Sequence, residues 1–425
     1  MIKVLGNSWA LLLGMMLLQV GNGLQGTLLG VRGQLEGFST FSMSIVMSCY
    51  FVGFLFGSRM APEMIRRVGH VRVFAALGSL ISAVLILYPV ATHPIAWMAG
   101  RVVIGFCFSG VYVTAESWLN NAATNETRGQ SLSLYMIVQM AGIVSAQGLM
   151  VLADPSGFIL FITSSVLVSI AFAPILLSIS PTPAFDTTKP MSLLEIMRIS
   201  PLGCVGMFLL GGVFSAQFGM APVFGAEAGL SVGEISAFVS TFFIGSLVLQ
   251  YPIGWLSDRM DRRILILACA VIGGLGALVG FALSGYFVML LVAGLLVGGV
   301  SNPLYALLIA YTNDFLEFDD MAAASGGMVF INGLGAVTGP LVTGWVMGQI
   351  GPRGFFLFIA VLMLAMAGYA AYRMTQRAAP SVEDTDSYAP VGLGATPMAV
   401  EFAQEYAIET AQEEAALEEE ADAPS

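Results

Sequence analysis

Charge is what this chain has least of. Lys, Arg, Asp and Glu make up 10% of its 425 residues while apolar residues reach 57%, against about 25% charged in an ordinary soluble domain. A soluble protein of this length could not cover its surface with so few charges. Histidine is nearly missing, with only His70 and His93, both in expected loops. The four cysteines, Cys49, Cys107, Cys204 and Cys269, fall inside apolar runs at no metal-type spacing and read as small packing residues without a disulfide. No metal cluster and no nucleophile–base set is legible. No cofactor and no nucleic-acid partner is therefore expected, and an enzyme is the weakest class.

What fills the space instead is a series of apolar runs, each near the roughly 20 residues needed to cross hydrocarbon. They cover 8–31, 40–61, 71–91, 94–119, 131–153 and 158–179, then 202–224, 235–256, 264–283, 286–311, 322–347 and 354–372. Lipid offers backbone groups no hydrogen-bond partners, so each run should be a helix. Segments of about ten residues alternating polar and apolar, the mark of a barrel, do not occur. The expectation is an all-α membrane protein of twelve transmembrane helices. The run after Lys3 is too long for a signal peptide and no small-residue cleavage site follows, so it counts as the first span. Many of the 49 glycines should let helices approach closely, Gly53/Gly57 and Gly335/Gly339 among them.

The net charge of −11 belongs to one end. Residues 1–373 hold 15 Lys/Arg and 15 Asp/Glu, whereas residues 374–425 hold Arg377 against 12 Asp/Glu. If the N-terminus is cytoplasmic, that side carries Lys3, Arg59, Arg66, Arg67, Arg72, Arg128, Lys189, Arg198, Arg259, Arg262, Arg263, Arg373 and Arg377, while the other keeps Arg32 and Arg353. The positive-inside rule then puts both termini in the cytoplasm of a multi-pass protein of the cytoplasmic (inner) membrane.

Two halves are legible. Residues 1–180 form the first six-helix half, 181–201 a cytoplasmic linker with a short amphipathic helix at 192–199, and 202–373 the second half. Adding 192 carries Gln25 to Gln217, Arg67 to Arg259 and Gly69 to Asp261; adding 197 carries Gly129 to Gly326, Gly142 to Gly339 and Gly157 to Gly354. Several matches in order indicate duplication into two pseudo-symmetric six-helix bundles, the plan of many secondary transporters. Residues 374–425 read as an acidic cytoplasmic tail, largely disordered, in which 378–396 is rich in Pro, Gly and Ser/Thr. The Thr396-Pro397 pair opens a Glu/Ala-rich helix with a thin apolar face, expected to be solvated.

One basic turn interrupts the apolar pattern, GWLSDRMDRR at 254–263. It resembles the loop signature of the major facilitator superfamily: Gly254, Asp258, Arg259, Arg262 and Arg263 match, and Asp261 departs where the signature has Gly. The first-half copy, PEMIRRVGHVR, keeps Arg67 and Gly69 but has Arg66 in the acidic slot. RVVIG at 101–105 resembles the family's helix-4 arginine motif without its Gln, and GAVTGPLVTG at 335–344 resembles its Gly-Pro motif, here in helix 11 around Gly339 and Pro340. The segments ESWLNNAATNETRG and YTNDFLEFDD are similar to a bacterial branch of the superfamily that does not fix a substrate. The resemblance, over about residues 5–373, implies alternating access with no catalytic residues, and it leans toward export. It further implies that Asp258 faces the start of helix 5 at Arg128 and Gly129. The symmetric contact would set Arg66 and Arg67 against Asp314, Glu317, Asp319 and Asp320 with the signs exchanged.

Within the spans, polar residues that lipid would reject mark a cavity. Helix 1 carries Gln19, Asn22 and Gln25. Arg101, Phe108, Tyr112 and Glu116 share one face of helix 4. Gln217, Asn302, Tyr305 and Asn332 answer from the second half. Arg101 is the candidate for an anionic group or, alternatively, a hydrogen-bond partner of helix 1. No Asp or Glu lies at mid-span, so a proton as coupling ion would need Glu116 first. The expectation is a monomeric secondary transporter moving a small solute across a lipid bilayer. A second class stays open: a membrane receptor or scaffold acting through the acidic tail. Two motifs mislead. GNGLQG at 21–26 imitates a dinucleotide fingerprint inside a span with no strand before it, and Asn125-Glu126-Thr127 spells a glycosylation acceptor on the cytoplasmic side.

Overall fold

The computed structural model describes residues 2–124, 127–177, 191–376, 388–389, 391–392 and 394–406, without the side chains at 2–7, 122, 175–177, 318–319 and 322. Among these residues every regular element is a helix. In order they are α1 (Ile2–Leu35), α2 (Thr40–Val68), α3 (His70–Leu87), α4 (Pro94–Ala122), α5 (Arg128–Met150) and α6 (Ile159–Leu177). After a short α7 (Leu193–Ile199) come α8 (Pro201–Ser215), a π turn (Ala216–Met220) and α9 (Ala221–Glu227), which form one crossing. Then follow α10 (Val232–Ser257), α11 (Arg262–Ala282), α12 (Phe287–Asn313), α13 (Phe318–Ile350) and α14 (Gly354–Met374). A last helix, α15, covers residues 397–406.

Eleven crossings are long and apolar enough to span a bilayer among the described residues, and α6, apolar over Ile159–Pro174, makes the twelfth. Local chemistry sets their ends. Ser39 accepts the Ser42 N–H to cap α2, and Gly69 closes it at φ 84°, a conformation that favours glycine. Ser231 and Glu234 form a reciprocal capping box on α10. Ser192 caps α7 by accepting the Glu195 N–H.

Each bundle repeats one tight helix pair. In the first, Gly53 and Gly57 of α2 face the backbone of Val102 and Phe106 on α4, while Gly105 faces the Tyr50 carbonyl. In the second, Gly245 of α10 faces the Leu295 backbone on α12, while Gly298 faces Phe242. Gly245 follows Gly53 by 192 positions, the offset of the duplication. A side chain at these sites would strike main chain, so glycine is required by the approach.

The bundles touch directly at one end. Gly30 of α1 lies against Pro222 of α9, Gly344 of α13 against Ser44 of α2, Ser48 donates to the Val337 carbonyl at 2.5 Å, and Thr40 donates to Glu227. At the other end, which carries the α10–α11 turn, residues 388–389, 391–392 and 394–406 enter the space between the bundles. The sequence reading had this stretch as linker followed by a solvated helix. Instead Val391, Ala399, Val400, Phe402 and Ala403 are buried. The rest of the acidic tail, 407–425, lies outside the described residues, as do 178–190 of the linker.

Candidate functional site: a central cavity and a tail-filled vestibule

A cavity lies between the bundles, walled by α1, α2, α4 and α5 on one side and by the α8–α9 crossing, α10, α12 and α13 on the other. Of the sequence-selected residues, Gln19, Asn22, Tyr112, Gln217, Asn302 and Asn332 line it, while Gln25, Arg101 and Tyr305 do not. No Asp, Glu, Lys, Arg or His is among its described lining residues.

The first-bundle groups form one connected network. Arg101 Nη1 donates to Gln25 Oε1 at 3.2 Å, Gln25 Nε2 to Asn22 Oδ1 at 3.2 Å, and Asn22 Nδ2 to the Tyr112 hydroxyl at 2.9 Å. Tyr112 in turn donates to Gln19 Oε1 at 2.6 Å, and Gln19 Nε2 to Gln139 Oε1 at 3.0 Å. Asn22 also reaches the Tyr50 hydroxyl at 3.3 Å. Arg101 is fully buried, with its guanidinium 4.5 Å from the Tyr50 ring centroid and Nη2 3.5 Å from Met47 sulfur. Its contacts tie α1, α2 and α4 together, with Gln25 as its helix-1 partner.

The second bundle is polar in separate pairs. Gln217 Nε2 donates to Ser301 Oγ at 3.2 Å, Asn302 Nδ2 to Gln250 Oε1 at 3.0 Å, and Asn332 Nδ2 to the Met207 carbonyl at 3.0 Å. The π turn sits where Gln217 and Phe218 meet the cavity; its extra residue re-aims side chains locally, a common device at functional sites. Aromatic rings join the bundles: Tyr50 to Phe218 at 6.0 Å and Phe51 to Phe214 at 5.9 Å between centroids, with Phe54 against Tyr112 at 6.1 Å.

Glu116 lies deep on α4, 1% exposed; it accepts from the Tyr135 hydroxyl at 3.0 Å and from the Thr396 hydroxyl. Tyr305 is fully buried, and its hydroxyl has no hydrogen-bond partner among the described residues.

The residues selected for gating are only partly brought together. Asp258 accepts the Tyr388 backbone N–H at 2.8 Å and lies 3.9 Å from Arg262. Burial pushes its carboxyl above the ordinary range, although the Tyr388 N–H and Arg262 pull the other way. Arg128 pairs with Glu405, donates to Asn120 Oδ1 at 2.8 Å and stands 5.9 Å over the Phe402 ring. Gly129 is packed against Tyr406 and Gly254 against Tyr388. Arg128 and Asp258, expected to face each other, thus each hold a tail residue. Arg262 joins Asp314 in a buried ion pair, and Arg259 lies 4.4 Å over Trp255. Asp261, the departure from the signature, has a role: it caps α11 through the Arg263 N–H at 2.9 Å and pairs with that guanidinium at 2.8 Å. Burial raises its carboxyl, and the bonds from Arg263 outweigh that and leave it below the ordinary value.

Arg66 and Arg67 both turn to Glu63 on their own helix, each at 2.6 Å. Asp320 is exposed, and the Asp319 side chain lies outside the described residues. Gly339 packs against the Gly212 backbone beside Pro340, fixing α13 on α8. His70 is no loop residue. It opens α3, buried, 3.1 Å from Ser117 Oγ and stacked on Trp118.

Sequence reasoning missed Tyr50, Gln139 and Gln250, all on cavity or vestibule walls. The two glutamines had the same signal as Gln19: an amide inside an apolar span.

The family model described as Major Facilitator Superfamily matches residues 11–231 and 203–400. An uncharacterized MFS-type transporter, YcaD, of Escherichia fergusonii is 24% identical over 357 residues, covering 82% of this chain and 91% of the relative. A similarly described protein of Enterobacter sp. (strain 638) is 26% identical over 356 residues with the same coverage. Among solved structures, the nucleoside transporter NupG (D323A mutant) superposes with TM-score 0.71 at 16% identity, over 86% of this chain and 99% of that one. At that identity the likeness is one of fold.

Proposed function

The chain belongs to the major facilitator superfamily, and from that premise we propose that it is a secondary transporter for a small uncharged solute with a flat, partly apolar body. Carriage is by alternating access, with the central cavity as the binding site. The observation that carries this reading is the convergence of Gln19, Asn22, Tyr112, Gln217, Asn302 and Asn332 in a ring-lined space with no charged lining group among the described residues. Amides both donate and accept, so such a wall recognises hydroxyl, amide and heterocyclic edges, while Tyr50, Phe54 and Phe218 offer ring faces. An ionised solute would lack a counter-charge there, since Arg101 is turned into the helix packing.

In this reading the end carrying the α10–α11 turn is cytoplasmic, following the positive-inside count, and the membrane is the cytoplasmic one. Glu116 is the proton-coupling group, because it is a buried carboxylate one turn along α4 from the cavity-lining Tyr112 and meets two hydroxyls. Arg66, Arg67, Arg128, Gly254, Asp258, Arg259, Arg262, Arg263, Asp319, Asp320, Gly339 and Pro340 act in conformational exchange, and the protein works as a monomer.

A thermal-shift screen of the detergent-purified full chain tests the binding site. The library contains uncharged heterocyclic and polar metabolites beside anionic and cationic ones. A ligand at 100 times its dissociation constant adds about 2.7 kcal/mol to stability. The expected hits are uncharged and disappear in Asn22→Leu and in Asn302→Leu. Hits confined to anions, or hits kept in both variants, would overturn the assignment.

A further inference from the structure

The opening between the bundles is already occupied, and by a segment of the chain itself. We propose that this vestibule is a binding site for the described residues between 388 and 406, which dock there in cis and hold the Arg128 and Asp258 sides of the opening apart. Docking is read from the contacts alone. Its consequence, that this end cannot close while the segment is in place, rests on the alternating-access reading above.

The segment reaches both bundles. On the first, Thr396 donates to Glu116, and Glu405 pairs with Arg128. On the second, the Tyr388 N–H bonds Asp258 at 2.8 Å, and the Tyr388 hydroxyl accepts from Gln250 Nε2 at 2.7 Å. Gln404 bridges further, donating to Asn313 Oδ1 at 3.1 Å and accepting from Ser325 Oγ at 2.6 Å. Polar complementarity over so many separate positions is the property of a built site, and the apolar filling agrees with it. Val400 is fully buried and Phe402 is 1% exposed, although both belong to a segment with no bilayer span of its own.

Two features indicate that docking obstructs the pathway. Gly392, Gly394 and Ala395 form part of the cavity wall, with Gly392 3.9 Å from Asn302 for a built side chain and Gly394 3.7 Å from Phe214. The cavity left above them is about 100 Å³, whereas the vestibule beside the segment is about 600 Å³. Ligand sites for metabolite-sized molecules run to about 300 Å³ and upward. With the segment in place the enclosed chamber is smaller than such a site, and solute and segment compete for the space. The second feature is chemical. Arg128 and Asp258, the opposite charges at the two rims, are each engaged by a tail group. A direct contact between them requires the tail to leave, so tail and closure compete for the same partners.

Thiol alkylation of a reporter on the segment itself tests this in the full chain. Ala399→Cys replaces a buried small residue that is 4% exposed. Its rate of reaction with a charged maleimide is compared with that in denaturant, and the unsubstituted protein gives the background from the four native cysteines. The proposal expects protection of roughly tenfold or more, since only the released segment reacts. Protection should be lost in Arg128→Glu and regained in Arg128→Glu/Glu405→Arg. Where Arg128→Glu does not fold, Val400→Asp, which lies outside the membrane bundles, serves as the releasing change. A rate equal to that in denaturant overturns the proposal. So does protection indifferent to both releasing changes, or protection that fades on dilution, which would mean a second copy's tail. The reporter needs no solute: failure of the ligand screen leaves it standing, and its failure leaves the screen standing.

Discussion

The two ends of this helix bundle are shut by opposite means. At one, the bundles close on each other mainly through small residues, Gly30 on Pro222, Gly344 on Ser44 and Ser48 on a carbonyl, with one polar contact from Thr40 to Glu227. At the other, the rims carry Arg128, Asp258, Arg259 and Arg262, and a third party fills the gap. Small residues make a seal that depends on shape and admits no substitute. Charged rims make a seal whose partners can be taken by a competitor with the right groups in the right order. The difference assigns specificity of closure to packing at one end and its regulation to electrostatics at the other.

The contrast breaks most strongly at Gly30. A side chain there meets Pro222 at once, and Gly30→Leu should wedge the sealed end apart. Overpacking of this kind costs about 1–3 kcal/mol, roughly a fivefold to 150-fold shift in population. Alkylation of Ser44→Cys, buried against Gly344, should accelerate accordingly, whereas the same change at Gly26, which has open space around it, should leave the rate alone.

Next in size is Arg101, on whose network the first bundle depends. Arg101→Met should lower stability by about 2 kcal/mol through loss of a desolvated cation–π contact and its hydrogen bond, read as a lower thermal midpoint. If Arg101 instead contacted solute, the midpoint without ligand would hold and only the ligand shift would vanish.

The smallest effect concerns the loop beyond the sealed end. Ser156 hydroxyl and backbone bonds, aided by Arg32, hold the Asp154 carboxyl below its ordinary value. A carboxylate lowered by folding adds stability above its unfolded pKa and loses it as pH falls through the folded one. The acid-side decline below about pH 4 should therefore be smaller in Asp154→Asn than in wild type.

Much of this was legible in the residues. Span length and the 192-residue offset anticipated the twelve crossings, and the amides of Gln19, Asn22, Gln217, Asn302 and Asn332 marked the cavity because lipid would reject them. Arg101 marked the same neighbourhood but not its own role, since a sequence does not say whether a buried guanidinium faces a chamber or three packed helices. Gln139 and Gln250 carried the right signal and were passed over. Tyr50, Phe54 and Phe218 carried none, because one ring among 28 phenylalanines and 12 tyrosines looks like every other. The tail misled for a physical reason. Val391-Gly392 and Gly394-Ala395-Thr396 have the composition of a flexible linker, yet Gly392 and Gly394 lie beside Asn302 and Phe214 in the cavity wall. Composition describes a segment in water; a cavity shaped to it changes the balance.

One measurement bears most directly on the claim that the two ends are coupled. Ser44→Cys alkylation is followed in the full chain with and without Val400→Asp, while Ala399→Cys in the same two backgrounds reports whether the tail has left. The account predicts that release of the tail lets the charged rims meet, so the sealed end opens part of the time and Ser44→Cys reacts faster. An unchanged Ser44→Cys rate with the tail demonstrably released would contradict it and leave two ends that share a protein but not a mechanism.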